Sequence, residues 1–513
     1  MGRHLGDQET RAALVRAMTE DQNPGVRIKA LEALAPHAKD KDVRAALVHT
    51  VRNDTTPGLR VMAIDLLTSE PDRDIAGVLQ ELVASEPNNY VKMRCQRALV
   101  DLERIGRRLL MRVVSMPTLR FQMKTLALLL GAALSLSAQT FGPIAKDGRF
   151  WVQQETGEMA PGSRLRVSVI GAVTVEGRAE PHFEYRVTRR VKADSEAEAK
   201  AIFERAHLAA VRRGPTATLT LEEPNCGRCA FAAELEVGVP QTLQEAIVGT
   251  RGGEVHIHNV AGRVIADSAG GAMEIGGVGG AVRATTAGGP ISLGTIGGEV
   301  LCETAGGTIS VDDARSNATL TSSGGSIRAG SIGGFLRAET AGGDVTAARV
   351  NGRVTAGTSG GSILIGQAGG PVNAESAGGS IEVAFAPKGV RVETAGGRIR
   401  LNDVAGQVYA ANASGDIQAV FLDGAPLADS LLETNLGTIV VYLPANARLA
   451  VEATVDFAKG MNRIETDFPG IQIVQGEDGP GLSALHASGS LNGGGPVLRI
   501  RNTSGRIQIR KRQ

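Results

Sequence analysis

Thr286–Glu303 reads TAGGPISLGTIGGEVLCE, and the next eighteen residues, Thr304–Thr321, read TAGGTISVDDARSNATLT. Laid one over the other without a gap, they place Ile291 on Ile309, Val300 on Ala318 and Cys302 on Leu320. Related tetrads begin at Thr250, Ser268, Ser322, Thr340, Thr358, Ser376 and Thr394, and Asn412-Ala413-Ser414-Gly415 keeps the same phase. A fixed period without insertions marks a chain built from stacked, similar turns.

Two residues past the second glycine of each tetrad lies an apolar column: Val255, Met273, Ile291, Ile309, Ile327, Val345, Ile363, Ile381, Ile399 and Ile417. Nine residues on comes a second, from Val264, Val282 and Val300 to Val390 and Val408, with small residues such as Ala266, Ala284, Cys302 and Ala338 two positions later. Alternation with period two turns these inward and leaves Arg283, Glu303, Arg337 and Glu339 outside. The expectation is a mainly β fold, a β-solenoid of two-strand rungs around a thin core, rising about 4.8 Å per rung and roughly 43 Å over nine intervals. The chain would reverse at the repeat-turn glycines Gly252, Gly253, Gly270, Gly271, Gly288, Gly289, Gly306, Gly307, Gly324, Gly325, Gly342, Gly343, Gly360, Gly361, Gly378, Gly379, Gly396 and Gly397, which permit positive φ and close backbone approach.

The phase breaks after Ile417, where VFLDGAPLADSL intervenes before Thr434-Asn435-Leu436-Gly437 restores the motif. Residues 250–429 therefore read as the solenoid and 430–513 as its continuation and cap, with Lys511 and Arg512 guarding an exposed last rung.

The chain has 513 residues, of which 66 are glycine, and only 3% are aromatic, a composition seldom seen in compact enzymes. Glycine without a three-residue period excludes collagen. Lys+Arg 55 against Asp+Glu 54 gives a net charge of +1, so nucleic acid is not an expected partner. Four cysteines exclude a scaffold held by many disulfides.

Upstream, RAALVRAM at 11–18 and RAALVHTV at 44–51 stand 33 residues apart, as do NPGVR at 23–27 and TPGLR at 56–60. Helix pairs at this period stack into a short solenoid, with Leu14, Ala30, Leu34, Leu47, Ile64, Leu67, Leu79, Leu82 and Leu99 as its core. The segment 1–102 resembles HEAT repeats over about residues 8–102, which implies an all-α fold and a protein partner, not an activity. Residues 103–122 form a basic juxtamembrane linker. From Thr125 to Ala145 no residue is charged, and as a helix the stretch would reach about 31 Å, enough to cross a bilayer. Residues 123–145 thus read as a transmembrane helix or, with Ser135, Ser137 and Ala138 near its end, as an internal signal peptide. The first reading places the protein in a bacterial cytoplasmic membrane, N-terminus cytoplasmic and C-terminal domain outside. The second makes it secreted or periplasmic after cleavage near Ala138.

Residues 146–249 read as an α+β capping module, with strands at 164–171, 183–191, 216–223 and 233–240 and a helix over 193–214 whose apolar stripe is Ala199, Ile202, Phe203, Ala206 and Ala210. From about residue 160 to 513 the chain resembles the putative adhesin family, also called toastrack-like. The likeness is carried by EAEAKAIFERAH, GVP at 238–240, the TAGG-x-I and GG-x-V units, YLPANARLAVEA and NTSGRIQI. It implies a non-catalytic β-solenoid-like domain outside the cytoplasmic membrane, often beside sensor or anti-sigma-like modules, and brings no catalytic residues.

Chemistry-bearing residues are sparse. Cys226-Gly227-Arg228-Cys229 has the C-x-x-C spacing of a local disulfide, a free dithiol, or half of a metal or redox site. Cys302 and Cys95 read as core. His256 and His258 face one side of a strand, but two ligands lack a third, so neither a metal nor a cofactor is expected. Asp312-Asp313, at the rung where Ser316-Asn317 replace the second glycine pair, read as an irregular bend or, less favoured, the mark of a groove. The acidic residues build no column across adjacent rungs, since Glu303 lies between Thr285 and Thr321 and Asp344 between Ser326 and Ser362, and Trp151 lies outside the repeat, so a polysaccharide-active enzyme is the lesser reading. The expected function is a non-enzymatic, adhesin-like scaffold at the cell envelope, meeting a protein or glycan and held to the membrane through residues 125–145. The alternative is a transmembrane regulator that links the solenoid to the helical repeats.

Overall fold

The computed structural model describes residues 2–21, 27, 30–31, 33–38, 40–54, 59–60, 63–64, 66–67, 73–85, 95, 139–160, 162–224, 230–458, 463–477 and 483–512. The chain divides into two compact units, Met1–Gly131 and Ala132–Gln513.

The second unit is mainly β-strand. Strand Val255–His258 pairs in parallel with Met273–Gly276, each residue beside the one eighteen positions later. The same offset carries this ladder to Ile399–Val404, and a second ladder from Arg263–Ser268 to Val408–Ser414. Both expected columns are buried, and so is a third that sequence reading missed: Val260, Val278, Ile296, Ala314, Ile332, Val350, Ala368, Ala386 and Val404. The first-ladder strands run on past the second inward residue, as in Ile291–Ile296, and bring this extra column into the core, which is correspondingly thicker than expected.

The two ends of the stack depart from chain order. Arg164–Val169 and Ala172–Arg178 form the rung before Glu245–Thr250 and Val255–His258, so the latter pair does not open the stack. Thr216–Thr220 and Phe231–Pro240 lie one rung earlier still. Beyond them pairing turns antiparallel, through Phe183–Val191 to Phe150–Met159. At the other end, Val497–Lys511 pairs in parallel with Ser430–Leu443 on one side and with Leu449–Val455 and Ile464–Thr466 on the other. The C-terminal strand is therefore interior. Among the described residues the edges at this end are Gln472–Glu477, which pairs with Ser483–Leu491, and Ile464–Thr466. Arg512 does not guard an edge: it meets Asp403 at 2.6 Å and donates to the Phe421 carbonyl.

The helix of this unit is Glu196–Arg205, shorter than the expected 193–214. Ser195 Oγ accepts from the Glu198 amide and Glu198 returns an acceptor to the Asp194 amide, which fixes its start. It ends early because Arg189 takes the Phe203 and Ala206 carbonyls. Gly214, at φ 58, then turns Ala209–Arg213 back along Thr216–Thr220 as a hairpin.

The first unit is helical, with Gly2–Glu20, Lys41–Asn53 and Arg73–Ser85. Ala30, Leu34, Leu47, Ile64, Leu67, Leu79 and Leu82 are buried together and Leu14 packs against them, while Leu99 lies outside the described residues. Arg27 spans this core to Asp54, with Nε 2.9 Å and Nη2 3.2 Å from its carboxylate oxygens.

The expected membrane span is corrected. Among the described residues no helix is long and apolar enough to cross a membrane. Residues 125–138 lie outside the described residues, and the rest of the expected span carries Gln139–Phe141 and the start of Ala145–Asp147 as strands on Phe150–Met159. On that finding the transmembrane helix, the membrane as a partner through 125–145, the two-sided localisation and the regulator that required a span are withdrawn, while the signal-peptide reading with cleavage near Ala138 falls on residues outside those described.

Candidate functional site

In each rung the tetrad hydroxyl is buried, yet it belongs to the scaffold rather than to any surface. Thr304 Oγ1 donates to the Gly289 carbonyl of the preceding rung at 3.1 Å and accepts the Gly307 amide of its own turn at 3.1 Å. Ser322, Thr340, Thr358, Ser376 and Thr394 repeat this pair of bonds. The tetrad glycines sit in these turns, and the second of each pair is the crowded one. A Cβ on Gly271 would stand 1.9 Å from the Gly253 carbonyl oxygen, whereas one on Gly270 would meet nothing within 4 Å.

The outward face of the second ladder carries a cluster of charged and aromatic side chains. Arg391 and Tyr409 are register neighbours, as are Glu375 and Glu393, and Glu433 follows Ala411 in the same column. This corrects the reading that acidic residues never stack: Glu303 and Asp344 have no acidic neighbour in their columns, but Glu375 and Glu393 adjoin directly. With Asp456 and Arg501 these carboxylates line an open groove of about 670 Å³. The Arg391 guanidinium lies 4.2 Å from the Tyr409 ring centre and pairs with Glu393, and the Tyr409 hydroxyl donates to Glu433 at 3.1 Å. Burial, and then the Glu433 charge, push the Tyr409 phenol above its ordinary value, so it stays a neutral donor near neutrality.

The other singled-out residues are placed as follows. Cys226 and Cys229 lie outside the described residues. Cys302 is buried, and its thiol is pushed up by burial and by Glu303, which keeps it an inert core group. Cys95 is also buried. Asp312 and Asp313 lie within the strand Ile309–Ala314, not in a bend, and in the turn after them Asn317 Oδ1 accepts the Phe335 amide of the next rung. His256 and His258 are half-buried on one face, with Glu274 beside His256 on the following strand.

A fully buried ion pair escaped sequence reading. Arg189 Nη2 stands 3.2 Å from Glu155 Oε2, and its ring partner is Phe203 at 5.5 Å. Burial raises the Glu155 pKa against the opposing pull of Arg189, and burial lowers that of Arg189. The alternation of Phe183–Val191 places Arg189 inward, and that was the available signal.

A family model of HEAT repeats matches residues 11–100. No curated protein matches the chain. Among solved structures, a "putative adhesin" from Bacteroides fragilis is 10% identical, with 70% of this chain and 97% of that one covered at a TM-score of 0.17. A "putative cell adhesion protein" from Clostridium sporogenes is 9% identical, with 73% and 100% covered at a TM-score of 0.12. Likeness at these scores is distant and carries no argument about function.

Proposed function

We propose that the β unit is a non-enzymatic recognition scaffold whose binding face is the acidic groove over the rungs from Glu375 to Asp456, suited to an extended basic segment of a partner protein. The observation that supports this is the register of the groove: Glu375 and Glu393 stand on adjacent rungs of one column and Glu433 two rungs farther along it, with Asp456 lining the same groove, on a face made rigid by the ladder beneath. The long side chains of an extended Lys/Arg-rich segment can reach several of these carboxylates at once, and several weak pairs add as avidity. Their setting is unlike that of an acid–base pair. Glu393 is held by Arg391 and Glu433 by Tyr409, and Glu375 is exposed to solvent in an open groove.

Fluorescence anisotropy of a labelled Lys/Arg-rich peptide titrated with the full chain tests the reading. Saturable binding that weakens with salt is expected, and the triple change Glu375→Gln, Glu393→Gln, Glu433→Gln should weaken it at least about tenfold. Equal binding by the triple variant would remove the site. Turnover of a peptide or oligosaccharide that disappears in Glu375→Gln would replace the scaffold with an enzyme.

A further inference from the structure

We infer that His256, His258 and Glu274 bind one divalent transition-metal ion of the zinc class, at a site separate from the acidic groove. The two histidines alternate on Val255–His258 with Ile257 buried between them, so both imidazoles leave the same face of the strand. Glu274 stands beside His256 in register on Met273–Gly276, and its Oε2 lies 3.4 Å from His256 Nδ1. One ligand atom from each of the three residues lies within 4.8 Å of the other two. Glu254 adds a carboxylate 3.5 Å from His256 Nε2.

The surroundings favour a cation. The register neighbours of the three ligands are Thr174, Glu176, Gly276 and Ser292, none of them cationic. Gly276 leaves the space beside His258 free, since a Cβ there would stand 3.5 Å from His258 Nδ1. The open groove next to it, about 460 Å³ and reaching Asp312, admits water to the remaining coordination positions. All three side chains are at least partly exposed, so small rotations can bring their ligand atoms to the distances of about 2.0–2.2 Å that zinc requires. Two imidazoles and a carboxylate select zinc, cobalt, nickel or copper over magnesium and calcium, which prefer all-oxygen shells. A second cluster, Glu158, His182 and Glu184, has similar spacing. There Glu184 already meets Arg178 at 3.1 Å and His182 at 2.8 Å, with Arg186 and Arg212 lining the same cavity, so protein cations already supply the positive charge. Bound metal would tie two successive rungs together and stabilise the stack by ligand linkage.

The test titrates Co²⁺ into the full chain, followed by its visible d–d absorption, with Zn²⁺ as competitor. The chain carries Cys226→Ser and Cys229→Ser so that thiolates do not contribute. One Co²⁺ per chain is expected, displaced by Zn²⁺ and not by Mg²⁺ or Ca²⁺. His256→Ala and His258→Ala should each weaken it at least as much as the loss of an outer-shell partner, about 10- to 100-fold, and Glu274→Gln by less. Unchanged circular dichroism would show that these surface variants remain folded. No binding by the parent, unaltered binding by the His256→Ala/His258→Ala double variant, or loss on His182→Ala instead would overturn the inference.

Discussion

Thr304 shows how one buried hydroxyl holds two rungs, because its oxygen both donates to Gly289 and accepts from Gly307. Thr304→Val keeps the volume but strands a carbonyl and an amide, so denaturant unfolding of the purified chain should show a loss of about 1–3 kcal/mol. The glycine pair that follows gives a sharper contrast. A Cβ on Gly307 would come within 2.0 Å of the Gly289 carbonyl oxygen, and one on Gly306 no nearer than 3.9 Å to any atom. Gly307→Ala should therefore displace backbone and cost at least the ~1–3 kcal/mol of an overpacked core. Gly306→Ala should stay within about 0.5 kcal/mol of the parent, as surface changes do. Equal midpoints for the two alanine variants in the same urea titration would refute the crowding argument.

Among the elements, the helix Glu196–Arg205 depends on a strand residue, Arg189, which takes two of its last carbonyls and reaches Glu155 on the neighbouring strand. Arg189→Met should cost about 3–5 kcal/mol, because Glu155 is left buried without its partner. The pH dependence has a definite sign. Burial raises the Glu155 pKa, so the folded chain holds that proton more tightly than the unfolded one. This contribution is complete below the ordinary glutamate value of about 4.3 and is lost as pH rises through the raised folded value. Urea midpoints across that window should show the stability of the parent falling relative to Glu155→Gln as pH increases; a constant difference would contradict it. Beyond the inward place of Arg189 in its strand, this pairing was not legible in the sequence, because Glu155 and Arg189 meet across two antiparallel strands and not by spacing along the chain. The apolar columns were legible because the same offset governs every rung. That offset also made Glu274 readable as the neighbour of His256, eighteen residues on, and Glu393 as the neighbour of Glu375. The third inward column and the two ends were harder: the column is interrupted by alanines such as Ala314 and Ala368, and the ends stack out of chain order.

At the scale of the whole β unit, the register itself is the stabilising device, and it can be cut. Removing Ile309–Ser326 joins Thr308 to Ile327, stacks Ile327 on Ile291, and gives Thr340 the Gly307 carbonyl in place of that of Gly325. Every inward column and every hydroxyl bond keeps an equivalent partner, and a stack whose stability is a sum of neighbouring interfaces loses only one of them. Removing Ile309–Asn317 takes out half a rung. It joins Thr308 to Ala318, so a second-ladder strand follows the tetrad turn and Ser322 arrives where Gly-rich reversal is not due. The eighteen-residue deletion should keep its β-sheet circular dichroism and a single cooperative unfolding transition. The nine-residue deletion should lose both or be recovered only as aggregate. If the two deletions behave alike, the unit is not held by the offset, and the rigid carboxylate column from Glu375 to Glu433 loses its basis as well.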